Sequence, residues 1–351
     1  MKHSTQLDGL RFVAVFFVLI AHFAAIIGDH ISAGYYGVDL FFVISGFLIT
    51  SILLKSEGVF ISVYKKFIIR RILRIVPIYY ILIAILFFCG YYEIQQYLKF
   101  LLSFTFNYAM VFYHLPLNAL SHFWTLCVEM QFYFFWPIII LGFRKKTNVL
   151  KWVVLIFICL SYLQFYFKII GPIGMYTWVG VLPQSYALGI GALGAIYLRN
   201  GKLPHQIFSN KWVEYFVIVA LLIFLITDQS LKFIFCPLIS LYFVIKAVYL
   251  DFSFKPLRFL LNNKHLIYLG SISYGIYLFH LPMYYYFTEH LFYPYFWNKI
   301  DFNSLGIFKK IERHSWIILF PLCSSLSILL SMISYNYIEH PILKYKDQHF
   351  K

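Results

Sequence analysis

The sequence contains few charged residues. Only 12% of its 351 residues are Asp, Glu, Lys or Arg, whereas 62% are hydrophobic. Soluble globular domains carry about 25% charged residues, so this chain has too few polar side chains to cover the surface of a water-soluble fold. The high hydrophobic content also excludes intrinsic disorder. The composition therefore predicts an integral membrane protein.

Acidic residues are the scarcer of the charged residues. The sequence has 14 Asp and Glu against 29 Lys and Arg, which gives a formal net charge of +15. In a soluble protein this excess would favour a nucleic-acid partner, but in a membrane protein it is typical of basic cytoplasmic loops. We therefore expect a lipid bilayer, and no nucleic acid, as a partner.

Cysteine is sparse as well, and no two cysteines have the short spacing of metal ligands. Each of the five lies in an apolar segment, where it is expected to be a small buried residue: Cys89, Cys127, Cys159, Cys236 and Cys323. The sequence predicts neither a disulfide framework nor a metal site.

Long apolar runs, in contrast, are abundant. About 20 apolar residues span a bilayer as a helix, and the sequence predicts ten such spans: 11–28, 34–54, 76–92, 122–142, 150–168, 177–198, 212–228, 231–250, 267–288 and 315–337. We expect an all-α, polytopic membrane protein that forms a single transmembrane domain over residues 1–351.

The positions of the basic residues predict the orientation. If the N-terminus is cytoplasmic, only seven of the 29 basic residues fall outside: Lys99, Lys168, Lys232, Lys299, Lys309, Lys310 and Arg313. This asymmetry follows the positive-inside rule and predicts that both termini are cytoplasmic. The cytoplasmic segment 55–75 carries six basic residues and is expected to form an amphipathic surface helix.

Two ionisable residues interrupt the first span. Such a residue costs about 2.5–3.5 kcal/mol at the centre of a spanning helix, so each requires a reason. Arg11 and His22 are eleven residues apart, which places them within about 20° of one helical face and about 16 Å apart along the axis. Taken alone, a snorkelling arginine and a hydrogen-bonded core histidine explain the pair equally well.

Two further arginines lie at the cytoplasmic boundary before the third span. Arg71 and Arg74 are three residues apart in RRILRIVP, so they share a helical face. An arginine binds phosphate through a planar, bidentate fork. The positive-inside rule alone also explains these two residues, and on composition it is favoured.

Polar residues also occur in two later spans. Glu129 lies on an aromatic face of the fourth span, where it could orient His22, bind a polar acceptor or pair with a basic residue. In the ninth span Tyr274, Tyr277 and His280 form a polar stripe about 120° wide. Structural roles explain these residues equally well when each is considered alone.

Six stretches of the sequence resemble the acyltransferase-3 family, bacterial integral-membrane acyltransferases that modify carbohydrates. They occur in the family order: LDGLRFVAVFFVLIAHF, GVDLFFVISGFLIT, RRILRIVP, FWTLCVEMQFYFFWP, SYGIYLFH and SYNYIEHPILKY. The resemblance covers nearly the whole chain, from Leu7 to Tyr345. It implies a multi-pass protein of the bacterial inner membrane and a stand-alone member without a C-terminal esterase-like domain.

The resemblance also implies site residues. The family's active-site signature, an arginine and a histidine separated by ten residues, corresponds to Arg11 and His22. Its Arg-x-x-Arg motif, associated with the acyl-CoA donor, corresponds to Arg71 and Arg74. The family carboxylate corresponds to Glu129, and Thr125 stands where a serine is common.

These implications combine into one expected function, transfer of an acyl group from cytoplasmic acyl-CoA to a hydroxyl of a cell-envelope or lipid-linked glycan, such as lipopolysaccharide. We expect acetyl-CoA as the donor, with its phosphates on the three arginines. His22 is the expected general base and Glu129 the residue that orients it. Tyr277 or His280 is expected to donate a hydrogen bond to the oxyanion.

The acceptor is expected to approach from the outer side. Aromatic residues in the outer segments 93–121 and 289–314 could stack on sugar rings. They could equally form the aromatic belt of the membrane interface.

Other functions remain open at this stage. A transporter or flippase of an anionic lipid-linked saccharide would also use buried Arg, His and Glu, although the related halves of many transporters are not visible here. A structural subunit of an envelope complex leaves Arg11 and His22 unexplained. Within the enzyme class, a succinyl or other acyl donor is an alternative.

Overall fold

The computed structural model of the protein describes residues 4–115, 119–167, 179–199, 204–226, 232–299 and 315–349. Within these ranges the regular elements are helices and there is no strand. The all-α prediction is confirmed. Parts of the predicted outer segments, 116–118 and 300–314, lie outside the described residues, as do the basic residues 2, 168, 202, 309, 310, 313 and 351.

The described residues include seventeen α-helices of five or more residues. In chain order they are α1 Thr5–Phe23, α2 Ala25–His30, α3 Ala33–Lys55, α4 Phe60–Phe88, α5 Tyr92–Leu102, α6 Phe106–Phe112, α7 Phe123–Phe143, α8 Thr147–Phe167, α9 Val181–Leu198, α10 His205–Ser209, α11 Lys211–Ile226, α12 Lys232–Tyr249, α13 Lys255–Asn262, α14 Lys264–Ser271, α15 Ser273–Phe287, α16 Trp316–Ser334 and α17 His340–His349. A π-helical turn, Thr288–Phe292, continues α15, and another, Tyr335–Glu339, joins α16 to α17.

Seven helical runs among the described residues are long and apolar enough to cross a membrane. They are α1, α3, α4, α7, α8, α9 and the run from Trp316 to His349; an eighth is gained if α14 and α15, which are bent by 69° at their junction, form one span. The predicted spans 212–228 and 231–250 correspond to the shorter helices α11 and α12, which border undescribed residues. The multi-pass architecture is confirmed, whereas ten spans and cytoplasmic termini stay predictions.

Helix α4 differs from the sequence-based prediction. A surface helix over 55–75 and a separate span over 76–92 were expected, but one continuous helix runs from Phe60 to Phe88 with Pro77 inside it. The glycines that take positive φ, Gly58 at 109° and Gly90 at 78°, lie beyond its two ends. Because 29 residues rise about 43 Å, α4 is longer than the hydrocarbon core. Its basic first half and its apolar second half therefore belong to one continuous helix.

Glycines allow the helices around the site to approach closely. A Cβ built on Gly46 of α3 would lie 2.0 Å from the carbonyl oxygen of Leu188 in α9, and one on Gly191 would lie 2.2 Å from the carbonyl oxygen of Val43. Backbones in membranes pack in this way where small residues face each other. This contact fixes the position of α3, which carries part of the site.

Gly46→Ala is therefore expected to destabilise the protein by about 1–3 kcal/mol, the usual cost of overpacking. The added methyl group would force α3 and α9 apart. Gly142→Ala is the matched control, because a Cβ at Gly142 meets no atom within 4 Å. Thermal unfolding in detergent measures both variants, and equal melting temperatures would contradict the packing role.

Candidate active site

The three arginines predicted to bind phosphate line a single cavity. Arg11 comes from α1, and Arg71 and Arg74 come from consecutive turns of α4. The cavity has a volume of about 100 Å³ and is also lined by Glu129 and by six residues that carry a hydroxyl group: Ser45, Thr125, Tyr133, Ser273, Tyr274 and Tyr277. We call it the arginine cavity. Its lining carries more positive than negative charge, which suits an anionic ligand.

Local contacts hold two of these arginines in place. The guanidinium of Arg11 forms a salt bridge of 2.7 Å with Asp8, one turn earlier in α1. The guanidinium of Arg71 lies 5.1 Å from the ring centre of Phe67 and 5.4 Å from that of Tyr133. Cation–π contacts of this kind leave the edge of the guanidinium available for hydrogen bonds.

Glu129 belongs to the arginine cavity. Its Oε1 accepts a hydrogen bond of 2.6 Å from the Ser45 hydroxyl and another from the Tyr133 hydroxyl, and its carboxylate attracts Arg71 electrostatically. Among the described residues, its hydrogen bonds do not include His22. His122 lies seven residues before Glu129, about 10.5 Å earlier along the chain. It is His122, and not Glu129, that lies beside His280, the residue that contacts His22.

Three histidines form a second cluster. His22 Nδ1 lies 3.0 Å from His280 Nε2, and the His122 ring centre lies 4.7 Å from that of His280. His122 and His280 are buried, whereas His22 is half-buried. Within the described part of the chain, no group of three or more His, Cys, Asp or Glu residues could hold a metal ion.

Hydrogen bonds to backbone carbonyls determine where the imidazole protons lie. His280 Nδ1 is 2.6 Å from the carbonyl oxygen of Tyr277, which can only accept, so Nδ1 carries the proton. Nε2 of a neutral His280 is then an acceptor, and His22 must donate to it from Nδ1. His22 Nε2 is consequently left with its lone pair. It is the nitrogen that could accept a proton from a substrate.

His122 was not among the site residues predicted from the sequence. Its Nε2 donates to the carbonyl oxygen of Leu278 over 3.1 Å, while its Nδ1 is buried without a hydrogen-bond partner among the described residues. The only signal in the sequence is its place just before the FWTLCVEM stretch, immediately ahead of a helix. Its proximity to His280 depends on the packing of α7 against α15.

Tyr277 connects the histidine cluster to the arginine cavity. It lines that cavity, and its ring centre lies 5.4 Å from those of both His122 and His280. Its hydroxyl is 2.7 Å from the Thr125 hydroxyl and 3.2 Å from the carbonyl oxygen of His122. His22 does not line the cavity. The predicted residues thus form two groups, with Arg11, Arg71, Arg74 and Glu129 in one, His22 and His280 in the other, and Tyr277 at their junction.

A larger cavity adjoins the first and shares Arg71 and Arg74 with it. It has a volume of about 440 Å³, and its lining adds three further basic side chains and one carboxylate: Lys66, Arg70, Lys346 and Glu57. We call it the basic vestibule. Helix α17 closes one side, where Asp347 lies 3.0 Å from Arg70 and 3.5 Å from Lys346.

Comparison with known proteins finds a family model and relatives that cover most of the chain. Residues 4–336 match the family model described as "Acyltransferase domain". The chain is 27% identical to "Putative O-acetyltransferase SAS0844" of Staphylococcus aureus (strain MSSA476), over 98% of this chain and 58% of that protein. It is also 27% identical to "Putative peptidoglycan O-acetyltransferase YrhL" of Bacillus subtilis (strain 168), over 97% of this chain and 56% of that protein.

A third relative is the "Peptidoglycan O-acetyltransferase OatA" of Listeria monocytogenes, which is 29% identical over 80% of this chain and 49% of its own length. The chain thus spans about half the length of the curated relatives it matches. No solved structure matches the chain.

Proposed function

Because the chain belongs to the acyltransferase family whose domain its residues 4–336 match, we propose that it transfers an acyl group from acyl-CoA to a hydroxyl of a cell-envelope glycan. Acetyl-CoA is the proposed donor and peptidoglycan, which the names of two relatives specify, is a candidate acceptor. The observation that carries the proposal is the position of Tyr277, which lines the arginine cavity and packs against His280, the residue that contacts His22.

The two adjoining cavities suit the two ends of an acyl-CoA. The basic vestibule has the volume and the charge for the phosphorylated nucleotide. Arg71 and Arg74 stand where it meets the arginine cavity, so they can bind phosphate oxygens through bidentate forks. Beyond the arginines the smaller cavity becomes apolar at Phe41 and Phe42, which fits the thioester arm.

His22 is the proposed general base. The acceptor oxygen bonds to the thioester carbonyl carbon, the C–S bond breaks, and the proton taken by His22 Nε2 is finally returned to the departing thiolate. His280 has the orienting role that was expected of Glu129, because its Nε2 accepts from His22 Nδ1. The carbonyl of Tyr277 in turn fixes His280, and this chain of dipoles stabilises the imidazolium that forms at His22.

Glu129 acts on the donor side. It binds the hydroxyl of Tyr133, whose ring packs on Arg71. Since the carboxylate holds the ring and the ring holds the guanidinium, Glu129 positions a phosphate-binding group. Tyr277 is the proposed hydrogen-bond donor to the oxyanion, because its hydroxyl lies at the end of the arginine cavity next to Thr125.

Transfer of label tests the function directly. Purified protein in detergent is incubated with radiolabelled acetyl-CoA and with envelope glycan from a bacterium that lacks this gene. We expect label on sugar hydroxyls, released by mild base as an ester. Movement of a separately labelled, unacetylated lipid-linked saccharide across the membrane of a proteoliposome that contains the protein would instead support a transporter. Absence of an acetyl ester from both the glycan and the lipid-linked fractions would overturn the proposal.

A further inference from the structure

A third cavity lies apart from the two proposed for the donor. Its volume is about 220 Å³, and it is lined by Tyr91, Tyr92, Glu93, Ala119, Tyr285 and Glu289. The carboxylates of Glu289 and Glu93 both act electrostatically on the Tyr91 hydroxyl, which places the two acids around one phenol. We call it the tyrosine–glutamate cavity. The donor side of the mechanism makes no use of it.

The histidine cluster lies between this cavity and the arginine cavity. Along α15, Tyr277 lines the arginine cavity, His280 belongs to the cluster and Tyr285 lines the third cavity. Tyr277 and Tyr285 are eight residues apart, about 12 Å along a helix.

A second chain segment gives the same order in the opposite direction. Thr125 lines the arginine cavity, His122 lies in the cluster and Ala119 lines the third cavity. Two independent elements therefore place His280 and His122, the neighbours of the proposed base in the cluster, between a basic cavity and an acidic one. A group-transfer enzyme must bring both substrates to its base, and the donor is assigned to the arginine cavity, so the third cavity is a candidate for the acceptor site.

The lining has the chemistry of a site for an uncharged sugar. Tyrosine rings present flat apolar faces with a polar edge, which suits the C–H face of a pyranose. Carboxylates only accept hydrogen bonds, and they accept strongly, which suits the many hydroxyl donors of a sugar. The two carboxylates would repel an anionic sugar, whereas they can accept hydrogen bonds from the hydroxyl groups of a neutral one.

We propose that the tyrosine–glutamate cavity binds the acceptor glycan through an uncharged, hydroxyl-rich sugar ring and directs one of its hydroxyls toward His22. This inference rests on the proposed function and adds to it the acceptor site and the charge class of the acceptor. An aromatic belt at the membrane interface accounts for the tyrosines, but it does not account for two carboxylates that share a cavity with them.

Binding of two probe sugars tests the inference. The full chain in detergent is titrated by calorimetry with a β-linked N-acetylglucosamine tetramer, which is neutral, and with a hyaluronan tetrasaccharide, in which alternate rings carry a carboxylate. We expect the neutral tetramer to bind more tightly. Glu289→Gln should weaken its binding about 10-fold or more, since a hydrogen bond to a charged group contributes about 1.5–3 kcal/mol.

The same variant should bind the anionic tetrasaccharide better than the wild type does, because one repelling charge is gone. If Glu289 had only a structural role, its replacement would not weaken binding of the neutral tetramer and strengthen binding of the anionic tetrasaccharide. Asp29→Asn is the matched control; it removes an exposed carboxylate that does not line the cavity, and it should change neither affinity.

Binding of acetyl-CoA, measured in parallel, separates this inference from the proposed function. Unchanged donor affinity together with unchanged binding of the neutral tetramer by Glu289→Gln would overturn the acceptor site and leave the acyltransferase proposal intact. Failure of the neutral tetramer to bind the wild type, with donor binding preserved, would have the same meaning. Failure of the wild type to bind acetyl-CoA would contradict the proposed function instead.

Discussion

Replacement of His22 by glutamine is expected to lower kcat for acyl transfer by about 10²–10⁴-fold, the usual contribution of a general base. Glutamine can keep the hydrogen bond to His280 Nε2 through its amide N–H, but its amide has no lone pair basic enough to accept the substrate proton. The variant should therefore have a lower kcat but an unchanged affinity for acetyl-CoA, because the arginines line a cavity that His22 does not line.

His265→Gln is the matched control, since His265 is exposed on α14 and takes no part in the cluster. It should transfer acetyl groups at the wild-type rate. Initial rates with radiolabelled acetyl-CoA, together with thermal unfolding of each variant, give the comparison. A His22→Gln variant that folds and retains most of its activity would remove His22 from the role of base.

The sequence predicted those parts of the site that lie on one helix. Arg11 and His22 were expected on one face of a continuous helix, and α1 runs without interruption from Thr5 to Phe23. The family was recognised from six stretches in order, and that recognition is confirmed by the match over residues 4–336. Helical periodicity and motif order are properties of the local sequence, so no knowledge of packing was needed.

Contacts between helices were predicted less well. Glu129 was expected to orient His22, but the residue that contacts His22 is His280, and His122 packs beside it. Which turn of α7 reaches the histidines depends on how far α7 is displaced along its axis against α1 and α15. Sequence periodicity gives the face of a helix and not this displacement, so it could not show that Glu129 lies two turns beyond the residue of α7 that reaches the histidines.

The basic residues show a similar limit. The positive-inside rule alone explained Arg71 and Arg74, and only the resemblance to the family's Arg-x-x-Arg motif distinguished them from neighbours such as Lys65. Packing makes the distinction, because α4 continues through Pro77 as one helix and directs both arginines into the arginine cavity. Lys65, on the same helix, lines neither this cavity nor the basic vestibule. The position of a basic residue in the fold therefore distinguishes residues that only favour the membrane orientation from residues that can bind a ligand.

This separation leads to the second large effect. The double variant Arg71→Ala, Arg74→Ala is expected to weaken acetyl-CoA binding at least about 100-fold, since each charge-assisted hydrogen bond to a phosphate contributes about 1.5–3 kcal/mol. Both arginines line both donor cavities, so the double variant removes two positive charges from the lining of each cavity. Wild-type affinity should also fall with added salt, and this salt dependence should be smaller in the double variant.

Lys65→Ala with Lys145→Ala is the matched control. It also removes two positive charges, but from exposed positions on the predicted cytoplasmic side. Neither lysine lines a donor cavity. Calorimetric titration with acetyl-CoA should give wild-type affinity for this control, and membrane insertion should be similar for both double variants. If the two double variants bind acetyl-CoA equally well, Arg71 and Arg74 serve topology alone, and the phosphates of the donor must be bound elsewhere.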